Sequence, residues 1–189
     1  MDSQEVINIL KEVDAFKEGH FLFSSGLHGE VYIQCAQLLK EPPLAEKVCR
    51  ELAQHFRKDK PEIVVGPAIG GIIVAYEVAR ALGVPGIFTE RVDGEVQLRR
   101  MFEIKPGQRV LVVEDVVTTG LSSQEVVNLI EKLGGVVVGV GSLVDRSNGK
   151  ARLSVPFYSL VKINVNNYEP EECPLCKKGI PLVKPGSRR

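Results

Sequence analysis

Residues 110–122 read Val-Leu-Val-Val-Glu-Asp-Val-Val-Thr-Thr-Gly-Leu-Ser, and no other stretch constrains the chain so tightly. Four apolar residues run without a break, stop at Glu114 and Asp115, and soon give way to small hydroxylated residues. A strand covered by helices on both faces needs apolar side chains at every position, so an unbroken run predicts a buried parallel strand. The two acids then stand at the strand's carboxyl end, where open α/β sheets bind ligands. Thr118, Thr119, Gly120 and Ser122 lead into a helix predicted over residues 124–133. Free N–H groups at a helix start, joined by hydroxyls, make a cradle for a phosphate monoester. A cradle beside carboxylates suits a ligand with both a phosphate and vicinal hydroxyls, such as a ribose 5-phosphate. The loop donates to the phosphate and the acids accept from the hydroxyls. An ordinary strand-to-helix turn with a threonine cap explains one hydroxyl, but not two adjacent acids and three hydroxyls.

The rest of the chain repeats that rhythm. Val6, Ile7, Leu10 and Val13 have helical spacing and predict an amphipathic helix over residues 5–15. Residues 21–34 alternate loosely around Ser24-Ser25-Gly26 and predict two strand pieces. Pro42-Pro43 begins a helix running to about Phe56. Residues 62–66, 86–89, 110–113 and 136–144 predict buried strands, with a helix from the glycine turn at 66–71 to about Leu82. Strands alternating with helices give βαβ units and a parallel sheet. Residues 91–108 show neither period, and long connections of that kind usually carry function. From Asn164 onward the chain is rich in Pro, Gly, Lys and Cys and is expected to be an extended appendage.

Composition excludes several functional classes. The 24 basic and 24 acidic residues cancel, so no global field favours nucleic acid. No basic, apolar leader opens the chain, and no apolar run approaches the roughly 20 residues of a membrane span. We expect a cytoplasmic protein whose cysteines are reduced. Cys35 and Cys49 read as small buried residues. Cys173-Pro-Leu-Cys176 has the spacing of half a zinc site, but no histidine follows it. Ligands would have to come from another subunit or from Cys35 or Cys49, so a turn with two free thiols is the simpler reading. A dinucleotide-binding oxidoreductase is disfavoured, because Gly-x-Gly-x-x-Gly follows no predicted strand.

Two further segments carry candidate site residues. Gly66-Pro-Ala-Ile-Gly-Gly71 lies between a strand and a helix, so its main-chain N–H groups can hold a second anion on the same side of the sheet. The 91–108 connection carries Arg91, Arg99 and Arg100 beside Asp93 and Glu95. It reads either as a solvated hairpin of mixed charge or as a flap that closes guanidinium groups over an anionic leaving group.

The Glu-Asp-Val-Val-Thr-Thr-Gly run resembles the phosphoribosyl diphosphate (PRPP) motif of type I phosphoribosyltransferases, and the 66–71 loop resembles that family's diphosphate turn. Phe21-Leu-Phe-Ser-Ser-Gly-Leu-His-Gly-Glu-Val-Tyr-Ile33 and Asp145-Arg146 resemble the base-binding segments of orotate phosphoribosyltransferases, and the match extends from the first helix to about residue 165. The tail is similar to that of a bacterial and archaeal subset. The resemblance implies an α/β parallel-sheet, Rossmann-like type I phosphoribosyltransferase fold with N-terminal hood elements. One domain would span residues 1–165, with 1–40 as the hood and 166–189 as a C-terminal extension.

The implied activity is that of a pentosyltransferase joining orotate to PRPP in pyrimidine (UMP) biosynthesis. It implies Mg²⁺ held mainly by PRPP, and a homodimer with shared active sites, without nucleic acid or membrane partners. Asp115, Arg91, Arg99 and Arg100 would serve catalysis. PRPP would meet Glu114, Asp115, Val116, Val117, Thr118, Thr119, Gly120, Leu121, Ser122, Ala68, Ile69, Gly70 and Arg91. Orotate would meet Thr118, Arg146, Tyr32, Ile33, Ser25 and Gly26. The chain departs from the family at two places: Ser24 stands where many members have Lys, and no Lys or His lies between Glu90 and Phe102. Another base specificity, or a PRPP-sensing regulator of the same fold, is the rival reading.

Overall fold

The computed structural model describes residues 1–23 and 25–185; Ser24 and residues 186–189 lie outside the described residues. Helix α1 spans Ser3–Glu12 and opens on a capping box: the Asp2 carboxylate accepts from the Glu5 N–H, and Glu5 accepts from the Asp2 N–H. That reciprocal cap starts the helix two residues before the apolar spacing alone predicts. Strands β1 (Phe16–Leu22) and β2 (His28–Ile33) form an antiparallel hairpin. The sequence pattern missed the short α2 (Ala36–Leu39), which precedes α3 (Pro42–Phe56). A 3-10 turn, Arg57–Asp59, leads to β3 (Ile63–Pro67), α4 (Gly70–Leu82) and β4 (Gly86–Val92). Then follow β5 (Glu95–Leu98), β6 (Arg109–Val117), α5 (Leu121–Lys132), β7 (Val136–Asp145) and β8 (Phe157–Lys162). The chain closes with β9 (Asn167–Tyr168) and the single turn α6 (Pro174–Lys177).

The main sheet has the order β5-β4-β3-β6-β7-β8, parallel except for the β5 edge. From β3 the chain crosses to β4 on one side, while β6, β7 and β8 build outward on the other. The order therefore reverses between β3 and β6, and their carboxyl ends splay into a crevice. Both sheet faces are covered. Leu111 and Val113 pack with α3 and α4, while Val110 and Val112 pack with α5. This two-sided burial is why β6 reads as a continuous apolar run.

Two expectations need correction. The 91–108 connection is not structureless: β4 continues through Arg91, and Asp93-Gly94 turns it into β5 with Val92 opposite Glu95. Both turn residues have positive φ, at 50° and 86°, which is the geometry that Asp-Gly favours in two-residue hairpins. The segment beyond Asn164 is not a free appendage either. Strand β9 pairs with β2, and Val183 bridges to Phe21, so the tail is laid along the N-terminal hairpin.

Candidate active site

A cavity of about 710 Å³ opens in the crevice between β3 and β6. Its walls include Asp115, Val116 and Thr118 from β6 and its turn, and Ile69 and Gly70 from the start of α4. Arg146 comes from the end of β7, Phe23, Tyr32 and Ile33 come from the hairpin, and Lys184 comes from the tail. Five separate segments of the sequence thus meet where the strand order predicts a ligand.

Strand alternation decides what the two acids do. Odd positions of β6 face α3 and α4, and even positions face α5, so Glu114 and Asp115 diverge. The Asp115 carboxylate lies against the start of α4. A methyl group on Gly70 would come within 2.5 Å of it, so only glycine lets the helix start approach the acid. The Glu114 carboxylate instead accepts a short hydrogen bond from the Ser123 hydroxyl in the first turn of α5. Neither acid has a basic partner among the described residues. Burial pushes the Glu114 carboxyl up to about 7, with the Asp115 charge adding to the rise and the Ser123 hydroxyl opposing it. Burial also raises Asp115, opposed by backbone N–H groups.

A pH dependence of stability follows. An unfolded Glu titrates near 4.3. Between that value and about 7 the folded chain holds a proton that the unfolded chain has lost. Stability therefore falls as pH rises through this window and levels off above it, by up to about 4 kcal/mol. Urea midpoints measured from pH 5 to 8 should show this fall in the parent and a flatter profile in Glu114→Gln. Identical slopes would contradict the assignment.

Two helix starts flank the crevice. Gly120 takes a left-handed φ of 82° and caps α5, and the Leu121 N–H bonds the Thr119 hydroxyl. Thr118, Thr119, Leu121 and Ser122 are exposed around that helix end, whose dipole favours an anion. At the other side Ala68 and Ile69 are exposed before α4, with a cis peptide between them. Gly66 and Gly71 lie where any Cβ would overlap backbone or the Pro67 ring, so β3 and α4 meet closely enough to bare this turn.

Arg146 stands out among the cations. Its backbone N–H extends the β6–β7 pairing by bonding the Val117 carbonyl, and the buried Asp145 accepts from the Ser147 N–H to fix the turn. The guanidinium lies 5.0 Å from the Phe23 ring centroid, a cation–π contact. It has no carboxylate partner among the described residues, and burial lowers its pKa.

The loop arginines lie elsewhere, and two of them are paired within their own subunit. Arg91 bonds Glu125 and the Gly94 carbonyl, and Arg100 forks onto Glu90 at 2.9 and 3.0 Å. Neither they nor Arg99 line the cavity. These pairs are solvent-exposed, so water screens them and little stability results. They hold the hairpin loosely. Ser25 and Gly26 are exposed in the turn between β1 and β2 and do not line the cavity either.

Sequence reading missed Phe23, Gln34, Cys35 and Lys184 as cavity walls. Cys35 is buried, with its thiol near the Asp115 carbonyl, so only its side facing the crevice contributes. Nothing local marks Lys184; its position depends on the tail folding back across the whole chain.

Comparison with known proteins agrees with this geometry. Residues 35–176 match the family model described as phosphoribosyl transferase domain. The chain is 55% identical over 189 residues to orotate phosphoribosyltransferase of Caldanaerobacter subterraneus subsp. tengcongensis, covering all of both chains. It is 56% identical over 191 residues to that of Carboxydothermus hydrogenoformans, again covering all of both. Among solved structures it is similar to orotate phosphoribosyltransferase from Aeropyrum pernix, with a TM-score of 0.65 and 29% identity over 83% of this chain and 93% of that one.

Proposed function

The chain belongs to the phosphoribosyltransferase family, and from that premise we propose that it is an orotate phosphoribosyltransferase, transferring ribose 5-phosphate from PRPP to orotate with release of diphosphate. The observation that carries this reading is Arg146, a half-buried guanidinium without a carboxylate partner among the described residues, on the wall of the cavity that also holds Asp115 and Thr118. A planar fork matches a planar carboxylate bidentately, and orotate brings one. The reading requires orotate absorbance to fall only when the protein, PRPP and Mg²⁺ are all present. Purified protein that consumes no orotate under those conditions would end it.

The chemistry assigned to the residues follows from their positions. Thr118 through Ser122, at the start of α5, anchor the 5′-phosphate, so that remote binding energy positions the reacting carbon. The bared turn of Ala68, Ile69 and Gly70 receives the diphosphate. Asp115 accepts from the ribose hydroxyls, and its charge favours the cationic ring that forms as the C1′–diphosphate bond loosens. Glu114 stands behind it on the α5 side, held by the Ser123 hydroxyl. Arg146 orients orotate, with Tyr32, Ile33 and Thr118 around the ring. Mg²⁺ would fit this donor set, because it keeps waters and phosphate oxygens and asks little of the protein; PRPP would hold most of it, with Asp115 as the hard oxygen donor on the cavity wall. When bound, it neutralises charge on the departing diphosphate. No described helix is long and apolar enough to cross a membrane. A cytoplasmic setting suits the phosphorylated substrates and the four unpaired thiols.

We assign a homodimer with shared sites. Ile69, Ile73 and Tyr76 form a stripe at the start of α4, beside the cavity, with 86%, 44% and 64% of their surfaces exposed. An apolar stripe of this kind fits a two-fold interface. The weakly held β4–β5 hairpin, with Arg91, Arg99 and Arg100, then reaches the neighbour's diphosphate. A chain carrying Arg91→Ala, Arg99→Ala and Arg100→Ala, mixed with an Asp115→Asn chain, should regain up to about a quarter of parental activity after random exchange, since half the dimers restore one site of two. No recovery despite demonstrated exchange would place the arginines in cis or outside catalysis.

A further inference from the structure

We propose that His20, His28, Cys173 and Cys176 form a structural Zn²⁺ site that pins the C-terminal tail to the N-terminal hairpin. Their four ligand atoms all lie within 4.8 Å of one another, the one such group of His, Cys or acidic side chains among the described residues. The Leu22–His28 pair of the β1–β2 ladder brings His28 beside His20, with ring centroids 4.9 Å apart. Cys173 caps α6 and Cys176 lies one turn on, so the Cys-x-x-Cys spacing presents both sulfurs to the rings. The histidines absent downstream of the cysteines thus arrive from about 150 residues earlier in the chain.

The distances fit a tetrahedral centre. The sulfur–nitrogen separations are 3.5 Å for Cys173–His20, 3.7 Å for Cys176–His20 and 3.3 Å for Cys176–His28. Metal–nitrogen bonds of about 2.0–2.1 Å and metal–sulfur bonds of about 2.3 Å give tetrahedral sulfur–nitrogen edges of about 3.6 Å. The His20–His28 nitrogen separation, 2.9 Å, needs to open by a few tenths of an ångström to the expected edge of about 3.3 Å.

Ring chemistry points the same way. His20 Nδ1 lies 2.8 Å from the Ile180 carbonyl, which can only accept, so Nδ1 carries the proton and Nε2 turns a lone pair to the cluster. A hydrogen-bonded cluster without metal offers that lone pair one good donor, His28, and leaves the thiols with weak partners. A single cation serves all four donors at once. Two thiolates and two neutral imidazoles around Zn²⁺ also sum to zero charge. This suits a centre where Cys173, His20 and His28 are 0%, 2% and 5% exposed. Sulfur and imidazole donors select zinc over Mg²⁺ or Ca²⁺.

The site explains how a tail with little core of its own stays in place. Beyond α6 the strap is held to the hairpin by three hydrogen bonds: His20 Nδ1–H to the Ile180 carbonyl, Leu22 N–H to the Val183 carbonyl at 2.9 Å, and Val183 N–H to the His20 carbonyl at 2.8 Å. The next residues, Lys184 and Pro185, line the substrate cavity. The metal therefore anchors one end of a strap whose other end forms a wall of the site.

Metal content of the purified chain, loaded with zinc under reducing conditions and dialysed, tests this directly. About one zinc per chain should remain, and Cys173→Ser with Cys176→Ser should lose it. Cobalt loaded into the parent chain gives a second readout that needs no variant: thiolate-to-cobalt charge transfer together with the intense visible bands of tetrahedral cobalt. Zinc far below one per chain after loading, zinc retained by the double variant, or a pale octahedral cobalt spectrum would each overturn the assignment.

Discussion

Asp115→Asn should abolish turnover while leaving the fold at least as stable as the parent. The carboxylate is the acid on the cavity wall, and it has no basic partner among the described residues. Burial raises its pKa, so the fold tolerates its charge rather than depending on it. Asn keeps the shape and removes the charge. Two charged hydrogen bonds to ribose hydroxyls, at about 1.5–3 kcal/mol each, put the loss in kcat/KM at about 10²–10⁴-fold. Thermal unfolding beside steady-state kinetics checks both halves. Activity within about threefold of the parent would mean that the ribose lies elsewhere, and a fall in Tm that tracks the activity would make Asp115 a structural acid.

Arg146→Ala should separate the two substrates. The guanidinium is the assigned partner of the orotate carboxylate, and it contacts Phe23 rather than any acid among the described residues. Leaving a buried charge unpaired costs about 3 kcal/mol or more, so the orotate KM should rise about 10²-fold while the PRPP KM stays within a few-fold. Arg146→Lys should recover only part of the loss, because an ammonium cannot fork onto a carboxylate. Equal damage to both KM values would show that the residue holds the β7 turn rather than the base.

The sequence carried local signals well and long-range convergence poorly. The unbroken run of β6 and the small hydroxylated residues after it located the crevice, because two-sided burial and the start of α5 are written into adjacent residues. The divergence of Glu114 and Asp115 was not read from the sequence, where the strand is expected to end at Val113 and both acids to meet the ribose; alternation separates them because β6 runs on to Val117. The β4–β5 hairpin, one of the two readings that the 91–108 connection offered, has its signal in Asp93-Gly94, while the charged, exposed flanks hide the strand pattern. Strand β8 has no comparable signature: it follows an irregular connection, and its burial runs from half-buried at Phe157 and Tyr158 to buried at 159–161 and exposed at Lys162. The His20–His28–Cys173–Cys176 cluster and the Lys184 wall depend on the tail returning to the first hairpin. No spacing within the tail encodes that return.

The base itself offers the most direct measurement. Orotate, uracil, adenine and hypoxanthine should be compared side by side with PRPP, with and without Mg²⁺, on the parent chain. Uracil differs from orotate by the carboxylate alone, so their ratio isolates what Arg146 is assigned to recognise. The account predicts kcat/KM for orotate at least about 10²-fold above uracil, no turnover of either purine, and none without Mg²⁺. Uracil or a purine used as well as orotate, or PRPP bound with no base consumed, would contradict it.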